Sequence, residues 1–237
     1  MRSSLLKGPW YDFIRATVRI FSIIFFRIRI QGKQYEPKKG AVLVVANHQS
    51  HLDPPLIGAF CRRRSNYMAR ATLFRVFLLG WLIRSLDAIP IDREGVGLSG
   101  MKETLRRLKR GEMVLVFPEG SRSLDGQVGK LKPGFCALAR RSGVQVMPVA
   151  IAGAFEAWPR SKRFPRPKVI QIQFGLSLGP EQIRSYSDPE LIAEIRRRLI
   201  DCHAAAVRGV QRAKQFHASG TFGEADLSGD EGQCRIW

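Results

Sequence analysis

A histidine and an aspartate stand five positions apart in Asn47-His48-Gln49-Ser50-His51-Leu52-Asp53-Pro54, directly behind the apolar run 41–46. Where a buried strand turns into a helix, this spacing lets the imidazole reach solvent while the carboxylate orients it. That is the pairing general-base catalysis needs. Each residue also has a plain structural reading. Asp53 before Pro54-Pro55 can be an N-cap with Pro at the first helical position, and an isolated His is commonly a satisfied structural imidazole. A Ser-His-Asp hydrolase built from Ser50, His51 and Asp53 is disfavoured, because triad members come from separate loops and no G-x-S-x-G elbow surrounds Ser50. His51 reads as structural, and Asn47 as a residue that holds the loop by hydrogen bonds.

The second constellation, Phe117-Pro118-Glu119-Gly120-Ser121-Arg122-Ser123, again follows an apolar run, 113–117. Gly beside Ser and Arg at a strand exit can offer backbone N–H groups and a guanidinium fork to a phosphate, although P-E-G-S alone is ordinary turn chemistry. Lys130 and Lys132, at the start of the next helix, can add phosphate contacts or be no more than a solvated basic turn. Two shorter pieces, Ile89-Pro90-Ile91-Asp92-Arg93 and Met147-Pro148-Val149-Ala150, accompany strand-like segments.

The elements that must position these residues alternate. Strand-like runs at 26–30, 41–46, 88–91, 113–117, 144–151 and 169–174 are separated by helical segments at 98–110, 133–142 and 188–207, the last capped by Asp188-Pro189. Such alternation argues for an α/β sandwich around a central, mostly mixed sheet flanked by helices. The domain is expected over residues 27–212, after an N-terminal helix within 1–26. The Gly-, Ser- and acid-rich tail, 213–237, has little to bury and is expected to be disordered.

Residues 9–26 carry Trp10, Ile14, Val18, Phe21 and Phe25 at helical intervals, with Asp12, Arg15, Arg19 and Ser22 on another face. The apolar stretch is far short of the roughly 20 residues that span a bilayer, and the two arginines spoil a secretory signal. An interfacial helix, with the arginines facing lipid headgroups, is the expectation; a core-packing helix is the alternative. A second apolar segment, 73–86, is also too short to cross. With 39 Lys and Arg against 20 acidic residues, the formal charge is +19 and the pI about 10.7, so an anionic partner is expected: membrane surface or nucleic acid. No helix-turn-helix, finger or RNP-like pattern supports a basic nucleic-acid-binding module. The four cysteines form no C-x-x-C pair, which points to a reducing, cytoplasmic-side location.

In order and spacing, Asn47-His48 with Asp53, Ile91-Asp92-Arg93, Phe117-Pro118-Glu119-Gly120-Ser121-Arg122 and Met147-Pro148-Val149 resemble the four blocks of the glycerolipid acyltransferases. The resemblance covers about residues 26–175. It implies that His48 is the general base and Asp53 its orienting carboxylate, that Arg93 and the Glu119-Gly120-Ser121-Arg122 loop hold the acceptor's phosphate, and that Pro148 shapes the site. It further implies a glycerolphosphate-acyltransferase-like fold, acyl-CoA or acyl-carrier protein as co-substrate, and neither cofactor nor metal. The implied reaction is acylation of 1-acyl-glycerol-3-phosphate (lysophosphatidic acid) to phosphatidic acid at the cytoplasmic face of a membrane, by a peripheral or monotopic enzyme. Another lysolipid acceptor is the alternative within the family. Ile89-Pro90-Ile91 and Met147 depart from the commoner aromatic and Val or Ile positions, which leaves the acceptor's identity open.

Overall fold

The computed structural model describes residues 3–75, 77–85, 88–91 and 98–219. Seven strands form one sheet: β1 (Arg29–Gln31), β2 (Val42–Ala46), β3 (Ser65–Arg70), β4 (Ile89–Ile91), β5 (Met113–Val116), β6 (Gln145–Ala152) and β7 (Gln171–Phe174). Their order is β1-β7-β6-β2-β5-β3-β4. Every neighbouring pair is parallel except β6 with β7, so the sheet is mixed, as expected. β2 is buried along its whole length, which is why residues 42–46 read as a continuous apolar run with no polar alternation. Val42, Val44 and Ala46 pack into one core with Leu56, Ile57 and Phe60. Leu43 and Val45 face the other, with Leu138, Leu191 and Leu199.

The helices cover both faces: α1 (Ser3–Phe26), α2 (Asp53–Phe60), α3 (Phe77–Ser85), α4 (Leu98–Lys109), α5 (Gly134–Ser142), α6 (Ala154–Ala157), α7 (Pro180–Ser185) and α8 (Asp188–Ser219). β2 lies between β5 and β6, the strand on either side coming later in the chain. The C-terminal ends of such strands are the usual place for a ligand in a sheet of this kind, and the chain leaves β2 there into Asn47 and His48.

Several boundaries differ from the sequence reading. β3, α6 and α7 carry no strong periodic signal; β3, Ser-Asn-Tyr-Met-Ala-Arg, owes its place to β5 and β4 on its two sides. The segment 73–86 is divided between a 3-10 turn (Ala71–Arg75) and α3. The two cross so closely that a Cβ on Gly80 would lie 2.3 Å from the Phe74 carbonyl oxygen. Helix α8 continues through Ser219, with Val210 and Ala213 buried against Ala152 and Val169, so the first residues of the expected tail are helical. Residues 220–237 lie outside the described part.

Helix α1 is amphipathic, but its arginines do not face outward as expected. Arg15 Nε donates to the Ala59 carbonyl at 3.0 Å and Arg19 Nε to the same oxygen at 2.6 Å. Both guanidinium groups also reach the Cys61 carbonyl, and Lys33 Nζ takes that of Phe60. Three cations thus satisfy the carbonyl end of α2, where a helix carries partial negative charge; each such contact contributes roughly 0.3–1 kcal/mol. The effect is to hold α2, and with it Asp53, against α1.

Candidate active site

The end of β2 delivers the first site residues. Asn47 grips β6 with both ends of its amide: Nδ2 donates to the Ile151 carbonyl at 3.0 Å, and Oδ1 accepts from the Ile151 N–H at 2.8 Å. The next residue, His48, leaves the sheet with its side chain 20% exposed, and its Nδ1 lies 2.7 Å from Oδ2 of the fully buried Asp53. The expected N-cap is not formed. Asp53 is the first residue of α2 and its carboxylate caps nothing in that helix, because Pro54 and Pro55 have no N–H to donate. Its Oδ2 turns back and accepts from the N–H groups of Gln49 (2.5 Å) and Ser50 (2.7 Å), while buried Oδ1 has no hydrogen-bond partner. Burial pushes the Asp53 pKa up, against the pull of His48 and the two amides. Taking the proton on Nδ1 leaves Nε2 as the basic nitrogen.

The loop after β5 clamps the backbone of His48 from both sides. Glu119 Oε1 accepts the His48 N–H at 3.1 Å, and the Ser123 N–H donates to the His48 carbonyl at 2.7 Å. Phe117 stacks on the imidazole with ring centroids 4.2 Å apart. Glu119, nearly buried, also receives the Gly129 N–H; burial, reinforced by the charge of Asp53, raises its pKa to about 7. Its carboxyl braces two loops by accepting both amides.

The cationic part of this loop is formed by its neighbours. Gly120 has φ 73°, a left-handed conformation suited to glycine. A Cβ there would lie 2.8 Å from Lys132 Nζ, so the lysine ammonium rests directly over the Gly120 backbone. The Lys132 N–H donates to the Pro118 carbonyl at 2.8 Å, which joins the two segments. Ser121 and Lys130 are exposed and Arg122 is half-buried beside them. Arg93, with Asp92, lies outside the described residues.

Pro148 is at the centre of β6, paired with Val45, two residues before Asn47. Its carbonyl accepts from the Gly175 N–H at 2.9 Å, just past the last antiparallel pair, Val149 with Phe174. The missing proline N–H thus falls outside the ladder, and Pro148 lies on the strand that anchors Asn47. The start of α2 offers few free N–H donors: Pro54 and Pro55 have none, and the N–H groups of Asp53 and Leu56 are bonded to Ser50 and Leu52.

Sequence reasoning missed Gln49 and His203. The buried Gln49 amide donates to the Gly126 carbonyl at 2.6 Å and lies 3.0 Å from Nε2 of His203 on α8, while its oxygen accepts the Phe155 N–H at 3.3 Å. These contacts require His203 to be neutral with Nε2 as acceptor, and burial lowers its pKa accordingly. No local pattern links residues 154 positions apart. Among the described residues no His, Cys, Asp and Glu cluster could hold a metal ion.

A His–Asp pair at the end of a central parallel strand, clamped by a Glu-Gly-Ser-Arg loop beside lysines, is the arrangement of an acyltransferase fold. Residues 27–152 match the family described as Acyltransferase, and the chain belongs to it. The chain is 32% identical over 193 residues to the 1-acyl-sn-glycerol-3-phosphate acyltransferase of Pseudomonas aeruginosa, an alignment covering 80% of this chain and 71% of the relative. It is 28% identical over 230 residues to a probable 1-acyl-sn-glycerol-3-phosphate acyltransferase of Mycoplasma pneumoniae, covering 85% and 86%. The crystal structure of the 1-acyl-sn-glycerophosphate acyltransferase PlsC from Thermotoga maritima superposes with a TM-score of 0.72 at 28% identity, over 90% of this chain and 84% of that one.

Proposed function

We propose that the protein transfers a fatty acyl group from a thioester donor, acyl-CoA or acyl-carrier protein, to the sn-2 hydroxyl of 1-acyl-glycerol-3-phosphate, making phosphatidic acid. The observation that carries this reading is the 2.7 Å contact of His48 Nδ1 with buried Asp53 Oδ2, beside a loop that presents Arg122, Lys130 and Lys132. A glycerol hydroxyl is a poor nucleophile at neutral pH. His48 Nε2 takes its proton as the oxygen attacks the thioester carbonyl, and Asp53 stabilises the imidazolium that forms. Collapse of the tetrahedral species breaks the C–S bond, and the imidazolium returns the proton to the departing thiolate. No covalent enzyme intermediate is needed. The cations near Gly120, with Arg93 as the further candidate, hold the acceptor's phosphate and so place its free hydroxyl at His48; Ser121 and the Gly120 backbone complete that candidate cradle.

The experiment is release of free thiol from palmitoyl-CoA or palmitoyl-carrier protein, in mixed micelles with and without 1-acyl-glycerol-3-phosphate. Acceptor-dependent release is expected. Activity only with other lysolipids would move the acceptor assignment within the family, and no transfer to any lysolipid would refute the reading.

A membrane surface is the proposed place of action. No helix among the described residues is long and apolar enough to cross a membrane. On α1, Phe13, Ile20, Phe21 and Ile24 are exposed, the last at 75%, and on α3 so are Phe77 (91%) and Trp81. Trp10 and Trp81 pack edge to face at 5.3 Å, bringing the two helices together. Such a patch suits insertion at the lipid interface, where each large apolar side chain contributes on the order of 1.5–3 kcal/mol when buried. Replacing Phe13, Ile20 and Ile24 together by Ser is expected to weaken vesicle binding at least about tenfold, measured by co-sedimentation. Unchanged binding would remove α1 from the interface.

A further inference from the structure

A strongly basic loop lies beside the site and is not used in the reaction described above. Residues 158–168 carry Arg160, Lys162, Arg163, Arg166 and Lys168, all exposed. None of the five makes an ion pair among the described residues. Between them Phe164 is 70% exposed, with the Arg163 guanidinium 5.5 Å from its ring centre.

The loop is tied to the catalytic loop at its base. Ser50 Oγ donates to the Trp158 carbonyl at 2.8 Å, and the Trp158 ring lies 5.4 Å from that of His51. It is also folded on itself: Trp158 Nε1 donates to the Lys162 carbonyl at 2.9 Å, and the Arg166 N–H closes onto the Ala157 carbonyl at 2.8 Å. Pro159, Pro165 and Pro167 restrict it further. Five uncompensated cations on a preformed support, at one edge of the reaction centre, are costly in self-repulsion unless an anionic partner faces them.

We propose that loop 158–168 docks an acidic carrier protein that brings the acyl thioester to His48. This rests on the acyltransferase reading. Cations spread on both sides of an exposed aromatic ring match the make-up of protein interface cores, where Arg and aromatic side chains concentrate. A face rich in carboxylates would complement all five charges at once and would be steered to them over a distance. The docked carrier would then present its thioester arm across the short stretch from Trp158 to Ser50 and His48.

The test compares the parent with the variant Arg160→Gln, Lys162→Gln, Arg163→Gln, Arg166→Gln, Lys168→Gln in detergent micelles containing 1-acyl-glycerol-3-phosphate, so that vesicle binding plays no part. KM for palmitoyl-carrier protein is expected to rise at least about tenfold with kcat little changed, and KM for palmitoyl-CoA to change less than about threefold. In the parent, KM for the carrier donor should also rise steeply with salt, a reading that needs no variant. The inference falls if the carrier KM and its salt dependence are flat, or if both donors suffer equally. In a separate co-sedimentation with anionic vesicles, a variant that loses vesicle binding while its carrier KM is unchanged would likewise overturn it and assign the loop to lipid headgroups. A parent active with palmitoyl-CoA alone sinks the docking surface but keeps the acyltransferase; a parent inactive with both donors on every lysolipid acceptor sinks the acyltransferase reading itself.

Discussion

His48→Ala is expected to lower acceptor-dependent thiol release by about 10²–10⁴-fold, the usual contribution of a positioned general base, with little change in KM for either substrate. The imidazole is partly exposed, and among the described residues its ring is hydrogen-bonded to Asp53 alone. The backbone of residue 48 keeps its bonds to Glu119 and Ser123 whatever the side chain. The loop should therefore stay in place and the phosphate contacts with it, so the loss falls on kcat. The variant should still melt cooperatively, though it leaves the Asp53 carboxylate with one donor fewer. A variant that keeps more than about a tenth of the parent rate would refute His48 as the base.

Asp53→Asn is expected to cost nearly as much, about 10²–10⁴-fold in kcat. An asparagine can place its oxygen where Oδ2 now accepts from His48, Gln49 and Ser50. Its NH₂ then occupies the buried space in which Oδ1 has no partner, at a cost of about 1–3 kcal/mol, and no charge remains to stabilise the imidazolium. The opposite orientation aims the NH₂ at His48 and at two backbone N–H groups; it breaks those bonds and forces the wrong imidazole tautomer. Either arrangement impairs the base, and only the second disturbs the loop. Steady-state rates combined with a melting curve separate them: a large rate loss with a shift in Tm of a few degrees at most identifies the lost charge as the cause. A rate within about threefold of the parent would reduce Asp53 to a structural anchor.

The chemistry-bearing pair was legible because it is local. His48 and Asp53 are five positions apart, so a strand-to-helix turn alone brings them within reach, and the continuous apolar run at 42–46 marks a strand buried on both faces. The same holds for the β5 exit and for the helices whose periodicity and glycine stops are strong. What each neighbouring residue does was decided by the tertiary structure, since it depends on which backbone groups packing brings near. Glu119, grouped with phosphate ligands by its motif, meets the His48 and Gly129 amides and becomes a brace. Arg15 and Arg19, with the look of headgroup ligands on a helical wheel, find the open carbonyls of α2 instead. Sequence by itself determined the pairing of His48 with Asp53 and the alternating α/β order, because these follow from short-range spacing and hydrophobic periodicity. The clamp on His48, the Gln49–His203 link and the exposed side of α1 were decided only by tertiary structure, because each arises where buried donors and acceptors far apart in the chain must find partners.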